Sequence, residues 1–199
     1  LRAEETDINA KDIKTNYAFK RNYAGLFPSG SLDFNLDKKN SISAAYSYRI
    51  DRPHYGMMNP VRTFNEQLSY GVGNPEIRPQ YTHNISLDYN FNQWLTVSGG
   101  LNKTKDFTFW YAYTPDSSKI SVDTISNLRD RENYYVSWSI QKRIKWYSFQ
   151  TYGLLMYRTF RGELMGEDVS SETFNYYANL NQEFYLPKDF KIQIWAGYN

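Results

Sequence analysis

The sequence predicts an all-β chain: about nine antiparallel strands that form part of a large up-and-down transmembrane β-barrel. Three observations carry this. Apolar and polar residues alternate with period two along most of the chain, and no sustained helical period appears. The connections alternate between short and long. Aromatics make up 18% of the 199 residues, with 19 tyrosines, yet the mean hydropathy is only −0.71. A soluble core has little use for so many phenolic hydroxyls, each of which needs a partner when buried. The boundary between lipid and water suits them.

The strands read in order. Leu32, Phe34 and Leu36 alternate with Ser31, Asp33 and Asn35. After Asp37-Lys38-Lys39-Asn40 the pattern resumes as Ile42, Ala44, Tyr46, Tyr48 and Ile50 against Ser41, Ser43, Ser47 and Arg49. Ile85, Leu87, Tyr89 and Phe91 oppose Asn84, Ser86, Asp88 and Asn90, and Tyr134, Val136, Trp138 and Ile140 oppose Ser137, Ser139 and Gln141. Alternation returns over 176–186 and 192–198. Between 147 and 160 both parities carry apolar side chains, so the face is ambiguous there. The apolar set is expected toward lipid and the polar set toward the lumen, because a slip of one residue exchanges the two faces.

Short connections fall near 37–40, 90–93, 143–146 and 187–189, and long ones span roughly 7–25, 52–80, 106–131 and 161–171. Short turns on one side and long loops on the other characterise a membrane barrel; a soluble sandwich can show long loops too, but four strict alternations are less expected there. Trp94, Trp146 and Phe190 lie in or just after short turns, at one level of successive strands. The longest apolar run, Phe109 to Tyr113, is far below the ~20 residues of a membrane helix. The start at Leu1 carries no signal-peptide pattern, and a mature or excised chain is expected.

Composition also removes functions. Cysteine is absent, which excludes disulfide frameworks and thiol chemistry. With 23 basic and 21 acidic side chains and no long basic run, nucleic acid is not an expected partner. The two histidines, His54 and His83, accompany no nucleophile elbow, so no enzymatic role is expected, and no cofactor or metal. Glu163, Glu167, Asp168 and Glu172 gather in one outer loop, but their spacing fits no cation-binding loop and they read as a solvated acidic tip.

Several spaced motifs are specific. LFPSGSLDF (26–34), YSYRIDRP (46–53), Met58-Asn59-Pro60 and GNPEIRPQYTHNISLDYNF (73–91) follow in order, with LNKTKDFTFWY (101–111) in a consistent place. On these segments the chain resembles the carboxyl-terminal barrel of the outer membrane protein beta-barrel family of Bacteroidota, relatives of TonB-dependent receptors. The opening LRAEET resembles the end of an upward strand there. Beyond Thr104 the resemblance rests on strand rhythm. It implies residence in the bacterial outer membrane, in contact with lipid and lipopolysaccharide, and a complete barrel of 22 strands. Residues 1–199 then form a partial barrel domain. The plug domain, the remaining strands and the segment that would engage TonB are expected outside this chain.

The candidate functional segment is 52–80. Pro53, Pro60, Pro75 and Pro79 restrict the backbone, and Gly71, Gly73 and Asn74-Pro75 add turns. A kinked, stiff loop loses little entropy on binding. It carries His54, Tyr55, Arg62, Phe64, Tyr70 and Arg78, a mixture able to contact polar and aromatic ligand surfaces; equally, its prolines serve to cap strands at the rim. Arg49, Arg52, Arg62 and Arg78 bring guanidinium forks near that rim, a chemistry suited to phosphate or carboxylate, lipopolysaccharide included. Three functions stay open. The first is TonB-coupled import of a nutrient (siderophore, glycan or peptide). The second is a structural or secretion-associated barrel bound to a surface lipoprotein or larger complex. The third is a soluble β-rich binding module.

Overall fold

The computed structural model describes residues 1–11, 18–115 and 119–199. Strand β1 (Arg2–Lys11) pairs antiparallel with β2 (Ala18–Phe27). Pro28, with no N–H to donate, ends β2, and the chain passes directly into β3 (Ser29–Asn35). A meander follows. β3 pairs with β4 (Asn40–Asp51), and the segment after β4 forms the turn α1 (Tyr55–Met58) and the hairpin of β5 (Thr63–Glu66) and β6 (Ser69–Gly71). β7 (Gln80–Phe91) returns to pair with β4. Then β8 (Leu95–Tyr113), β9 (Ser121–Ile144), β10 (Tyr147–Leu164), β11 (Glu167–Tyr185) and β12 (Lys191–Tyr198) each hydrogen-bond to the strand before. With β2 and β3 taken as one interrupted strand and the β5–β6 hairpin set aside, the passes among the described residues number nine, as the alternation predicts.

Register gives the sheet two chemically distinct faces. One row across the strands reads Leu32, Ala44, Leu87, Gly99, Val136, Leu155, Tyr176. The row three positions along, on the opposite face, reads Ser29, Ser47, Asn84, Asn102, Asn133, Arg158. Leu32 is 78% exposed, Leu87 56% and Val136 49%. Side chains of that size left open on one continuous face belong against lipid, since a soluble monomer keeps such patches small. Pairing also settles the ambiguous stretch: Leu155 and Tyr157 share the face of Val136 and Tyr134, while Leu154 and Met156 share that of Ser137 and Tyr135. Aromatic rings cover glycines on both faces. A Cβ on Gly153 would fall 2.0 Å from the Trp138 indole, and one on Gly100 would fall 2.6 Å from the Tyr135 ring.

The apolar band has the right height. On β9 it runs through Tyr134, Val136, Trp138 and Ile140, with Glu132 above and Lys142 below. That interval, at about 3.3 Å per residue and about 40° of tilt, rises about 25 Å. Glu132 accepts the Tyr134 hydroxyl at 2.8 Å and pairs with Lys103 at 2.7 Å, while Lys142 lies 5.1 Å from the Trp94 ring. Tyr157 likewise donates to Glu172 at 2.8 Å. Phenols reaching toward carboxylates one level up mark the outer boundary. Trp94 and Trp146 pack on Phe91 and Phe184 beside the short turns and mark the other.

All four short turns lie on one edge, and they step along it. Asn40 faces Phe91 at the β7–β8 turn, but Leu95 faces Ile140, well before β9 ends at Ile144. This offset is the stagger that tilted barrel strands impose. Left-handed residues close the turns: Asn92 and Gln93, Lys145, and Lys188 and Asp189 all have positive φ. In the β3–β4 turn, Asp37 accepts the N–H groups of Lys39 at 2.7 Å and Asn40 at 2.9 Å, and the Asn40 amide at 2.7 Å. The Lys39 N–H, followed by the Asn40 side chain, holds this carboxyl below its usual range. The turn therefore gains stability above the ordinary carboxylate range and loses it as pH falls through the lowered value.

The opposite edge differs from the expectation of long loops. What reads in sequence as loops at 106–131 and 161–171 is mostly paired strand. β8 and β9 stay in register up to Tyr113 and Val122, and β10 and β11 are closed by Met165 and Gly166 alone, at φ 56° and 85°. β9, with 24 residues, extends about 80 Å, far beyond the band. Residues 12–17 and 116–118, which fall within the loops expected at 7–25 and 106–131, lie outside the described residues. Glu163 and Asp168 face each other near the β10–β11 turn, and among the described residues no carboxylate cluster is arranged to hold a metal.

Two outcomes test this arrangement in the full-length protein. Leu87→Lys, mid-band on the apolar face, is expected to destabilise the folded barrel by about 2–4 kcal/mol in urea titrations from lipid vesicles, and Ser86→Lys much less. Equal losses would reverse the facing. On intact cells a membrane-impermeant maleimide is expected to label Met165→Cys and spare Lys188→Cys.

Candidate functional site

The segment between β4 and β7 is a folded platform rather than a simple connection. Met58 and Ile77 are buried against Ile125 of β9, with Met57 packed beside them. β6 runs parallel to the start of β9, with Ser69 opposite Ser121 and Gly71 opposite Asp123. Asparagines complete the attachment. Asn74 donates to the Ile125 carbonyl at 3.0 Å, and Asn127 accepts the Arg78 N–H at 2.7 Å while donating to the Arg78 and Asp106 carbonyls. From the other side, Arg21 on β2 donates to the carbonyls of Pro75 and Ile77 and pairs with Glu76 at 3.6 Å. At the base, Arg52 pairs with Glu4 of β1 at 2.7 Å. The prolines restrict the chain, but packing fixes it: Pro53 and Pro79 are themselves buried.

One glycine is dictated by this packing. Gly73 N–H donates to the Asn59 carbonyl at 2.9 Å and Asn74 N–H to the Met57 carbonyl at 2.7 Å. A Cβ on Gly73 would lie 2.6–2.8 Å from the Asn59 and Met57 backbone, where no flexible side chain can give way.

The sequence-selected residues separate into groups. Arg62, Phe64 and Tyr70 come together: the Arg62 guanidinium lies 4.8 Å from the Tyr70 ring centre, and the Phe64 and Tyr70 rings are 5.8 Å apart. Phe64 is 72% exposed, and Val61 and Leu68 beside it are exposed too. His54 and Tyr55 stand at the start of α1, both exposed. Arg78 lies at the base of the platform and pairs with Asp106 at 2.8 Å. Of the four rim arginines, then, Arg52 and Arg78 are neutralised by carboxylates, Arg62 is held by a ring, and Arg49 stands on the polar face. His83 stands on β7, opposite Tyr48. It shares a hydrogen bond of 2.9 Å with the Tyr46 hydroxyl and stacks at 4.3 Å on Tyr48, in the aromatic belt of the apolar face.

The structure also joins groups of the polar face to one another, Ser47 and Asn84 of the expected lumen set among them. Asn102 donates to Asn84 at 2.8 Å and Asn84 to Ser47 at 3.2 Å, a ladder of amides and hydroxyls beside a cleft of about 480 Å³. One row up, Thr82 and Thr104 share a bond of 3.0 Å. Asp106, at φ 54°, interrupts the alternation of β8. Beyond it Phe107 lies 4.1 Å from the Arg131 guanidinium, and Phe109 lies 5.4 Å from Phe160, so these rings share the polar face. Because 106–131 reads as loop, the sequence gives no signal for Arg131 or the phenylalanines; the left-handed aspartate would have been the only cue.

The fold sets aside a soluble module, because the apolar face of the ten-stranded sheet is left exposed rather than packed against a second sheet. Comparison with known proteins agrees. A model of the outer membrane protein beta-barrel family matches residues 1–199. The siderophore receptor PirA from Pseudomonas aeruginosa superposes with a TM-score of 0.56 at 12% identity, covering 88% of this chain and 39% of the receptor. The ferric enterobactin receptor PfeA from the same organism gives 0.49 at 9% identity, over 89% of this chain and 36% of that one. At such identity the likeness to PirA is one of fold, and the chain spans well under half of either receptor. No curated protein matches the sequence.

Gly73→Ala is expected to loosen the platform without unfolding the barrel. Overpacking against backbone costs about 1–3 kcal/mol, and limited proteolysis should then cut within 59–73 while heat-modifiable gel mobility stays normal. Unchanged protection would mean the backbone yields at no cost.

Proposed function

This chain belongs to the outer membrane protein beta-barrel family, and we propose that it supplies wall and outer platform to a receptor that imports a nutrient with TonB-coupled energy. The protein resides in the bacterial outer membrane. The observation that carries the reading is the platform itself. Closing a strand pair needs only two residues, as at Met165 and Gly166. The 52–79 segment instead builds its own buried core and turns Tyr55, Arg62 and Phe64 outward, with Tyr70 half-buried beneath them. A recognition loop on a rigid scaffold has this construction, because fixed rings and a fixed guanidinium lose little freedom when a ligand docks.

Siderophores, glycans and peptides all offer ring faces or anionic groups to such a surface, and the fold likeness to a siderophore receptor is in keeping with the first. The reading assigns selection and passage to this chain and no bond-making step. A plug, the strands completing a barrel of 22 and the TonB-engaging segment belong, on this reading, to other parts of the same protein.

One observation favours a second reading. Val61, Phe64 and Leu68 leave apolar surface on the platform, which suits a surface lipoprotein in a structural or secretion-associated assembly. In the full-length protein, Arg62→Ala with Phe64→Ala is expected to preserve assembly, seen as heat-modifiable mobility. Uptake of the limiting nutrient should fall roughly tenfold, the scale of losing a paired arginine and ring. Deleting the whole of 55–70 is a poorer test, because it also removes Met58 from the core. Normal uptake by the double variant would overturn the platform's role, and wild-type uptake that persists in cells lacking TonB would favour the second reading.

A further inference from the structure

Positive charge accumulates on the polar face just above the amide ladder; the carboxylates of the next row up, Asp51 and Asp106, are engaged by the Gln80 amide and by Arg78. Arg49, Thr82, Thr104, Arg131 and Phe160 form one row, and Asn102, Asn133 and Arg158 continue the ladder one row below. Neither row contains a carboxylate, nor does the next one down, through Ser86, Gly100, Tyr135 and Met156. Acids are plentiful at this height but stand on the other face, where Glu132 holds Lys103 and Tyr134. Among the described residues Arg49, Arg131 and Arg158 have no ion-pair partner. Arg158 reaches only the Asn133 amide oxygen, at 3.1 Å, and the Met156 sulfur, at 3.8 Å. The Arg131 Nε is buried without a hydrogen bond, and its guanidinium lies on the Phe107 ring.

Resting on the receptor reading, we propose that this part of the inner wall is a subsite for an anionic ligand with a flat unsaturated portion. Arg131 and Arg158 take its carboxylate groups, and Phe107 and Phe160 take its ring. Two arginines on adjacent strands repel each other, and a planar oxyanion relieves that repulsion while filling donors that are otherwise idle. A ring on the ligand stacks or meets the phenylalanines edge-on. Arg49 lies three strands from Arg131, about 14 Å away at about 4.8 Å per strand, too far to share one small anion. Its place is above the cleft beside Ser47 and Asn84, where it draws anions toward the pair.

The test uses full-length protein in detergent and two probes of equal charge, trimesate (a benzene ring with three carboxylates) and citrate (three carboxylates without a ring). Calorimetric titration is expected to show trimesate binding more tightly than citrate. Arg131→Gln with Arg158→Gln should weaken both roughly tenfold. Phe160→Leu should narrow the preference for trimesate, and Lys103→Gln on the apolar face should change neither. A double variant that binds trimesate as well as wild type overturns the subsite. So does a wild type that binds no trimesate at millimolar concentration while the double variant melts at lower temperature; the arginines would then be occupied by an acidic segment of the protein itself. Failure here is distinguishable from failure of the receptor reading. Uptake that depends on TonB without trimesate binding removes only the subsite, and trimesate binding without TonB-dependent uptake supports the subsite alone.

Discussion

Everything in this protein depends on one constraint: inside hydrocarbon, each backbone N–H and C=O must find its partner within the sheet, since no water can serve. An antiparallel ladder between successive neighbours meets that demand. Once the ladder is fixed, side chains must alternate between lipid and lumen, and register admits no slip, because a slip would carry Asn84, Ser86 and Asp88 into the band held by Ile85 and Leu87. The turns at the lower edge are short for the same reason, and their stepwise offset follows from the tilt of the strands. Where the constraint ends, at the level of Glu132 and Glu172, the strands continue but the alternation relaxes.

That relaxation is where the outer half acquires its own character. Above the band the chain is free to bury side chains against other segments, and it does so around Ile125, Met58 and Ile77. The platform is a small water-side core placed on a membrane-side scaffold. Its polar clamps come from asparagine amides and from Arg21, groups that satisfy backbone carbonyls the irregular chain leaves unpaired. Asp106 has a comparable role within a strand. A single left-handed residue changes which face Phe107 and Phe109 present, placing Phe107 on the Arg131 guanidinium and Phe109 against Phe160.

Charge is sorted by face as clearly as hydrophobicity is. At the outer boundary the apolar face holds opposite charges in pairs, Lys103 with Glu132, alongside phenol–carboxylate bonds, an arrangement with little net field. At the same height the polar face holds arginines and neutral amides. A lumen with low-dielectric walls concentrates the field of such groups, so even a few unpaired guanidinium ions bias the passage toward anions. The platform and the inner wall thus present related chemistry, arginine with aromatic rings, at two successive depths.

The period-two alternation fixed the fold class by itself, because its physical cause is local: neighbouring side chains on a strand must point to opposite faces. The same locality made the short turns, the aromatic levels at Trp94 and Trp146 and the special status of the 52–80 segment legible in the residues. Three things were decided only by tertiary structure. The facing of 147–160 depends on pairing, since Leu154 and Met156 look as apolar as Leu155 and only Val136 and Tyr176 opposite Leu155 distinguish them. The extent of the outer hairpins was hidden because polar strands above the membrane need no apolar alternation, and a methionine at positive φ gives no turn signal. The grouping of Arg131, Arg158, Phe107 and Phe160 was invisible because residues up to 53 positions apart meet through register, and register is a property of strand pairs, not of any one strand.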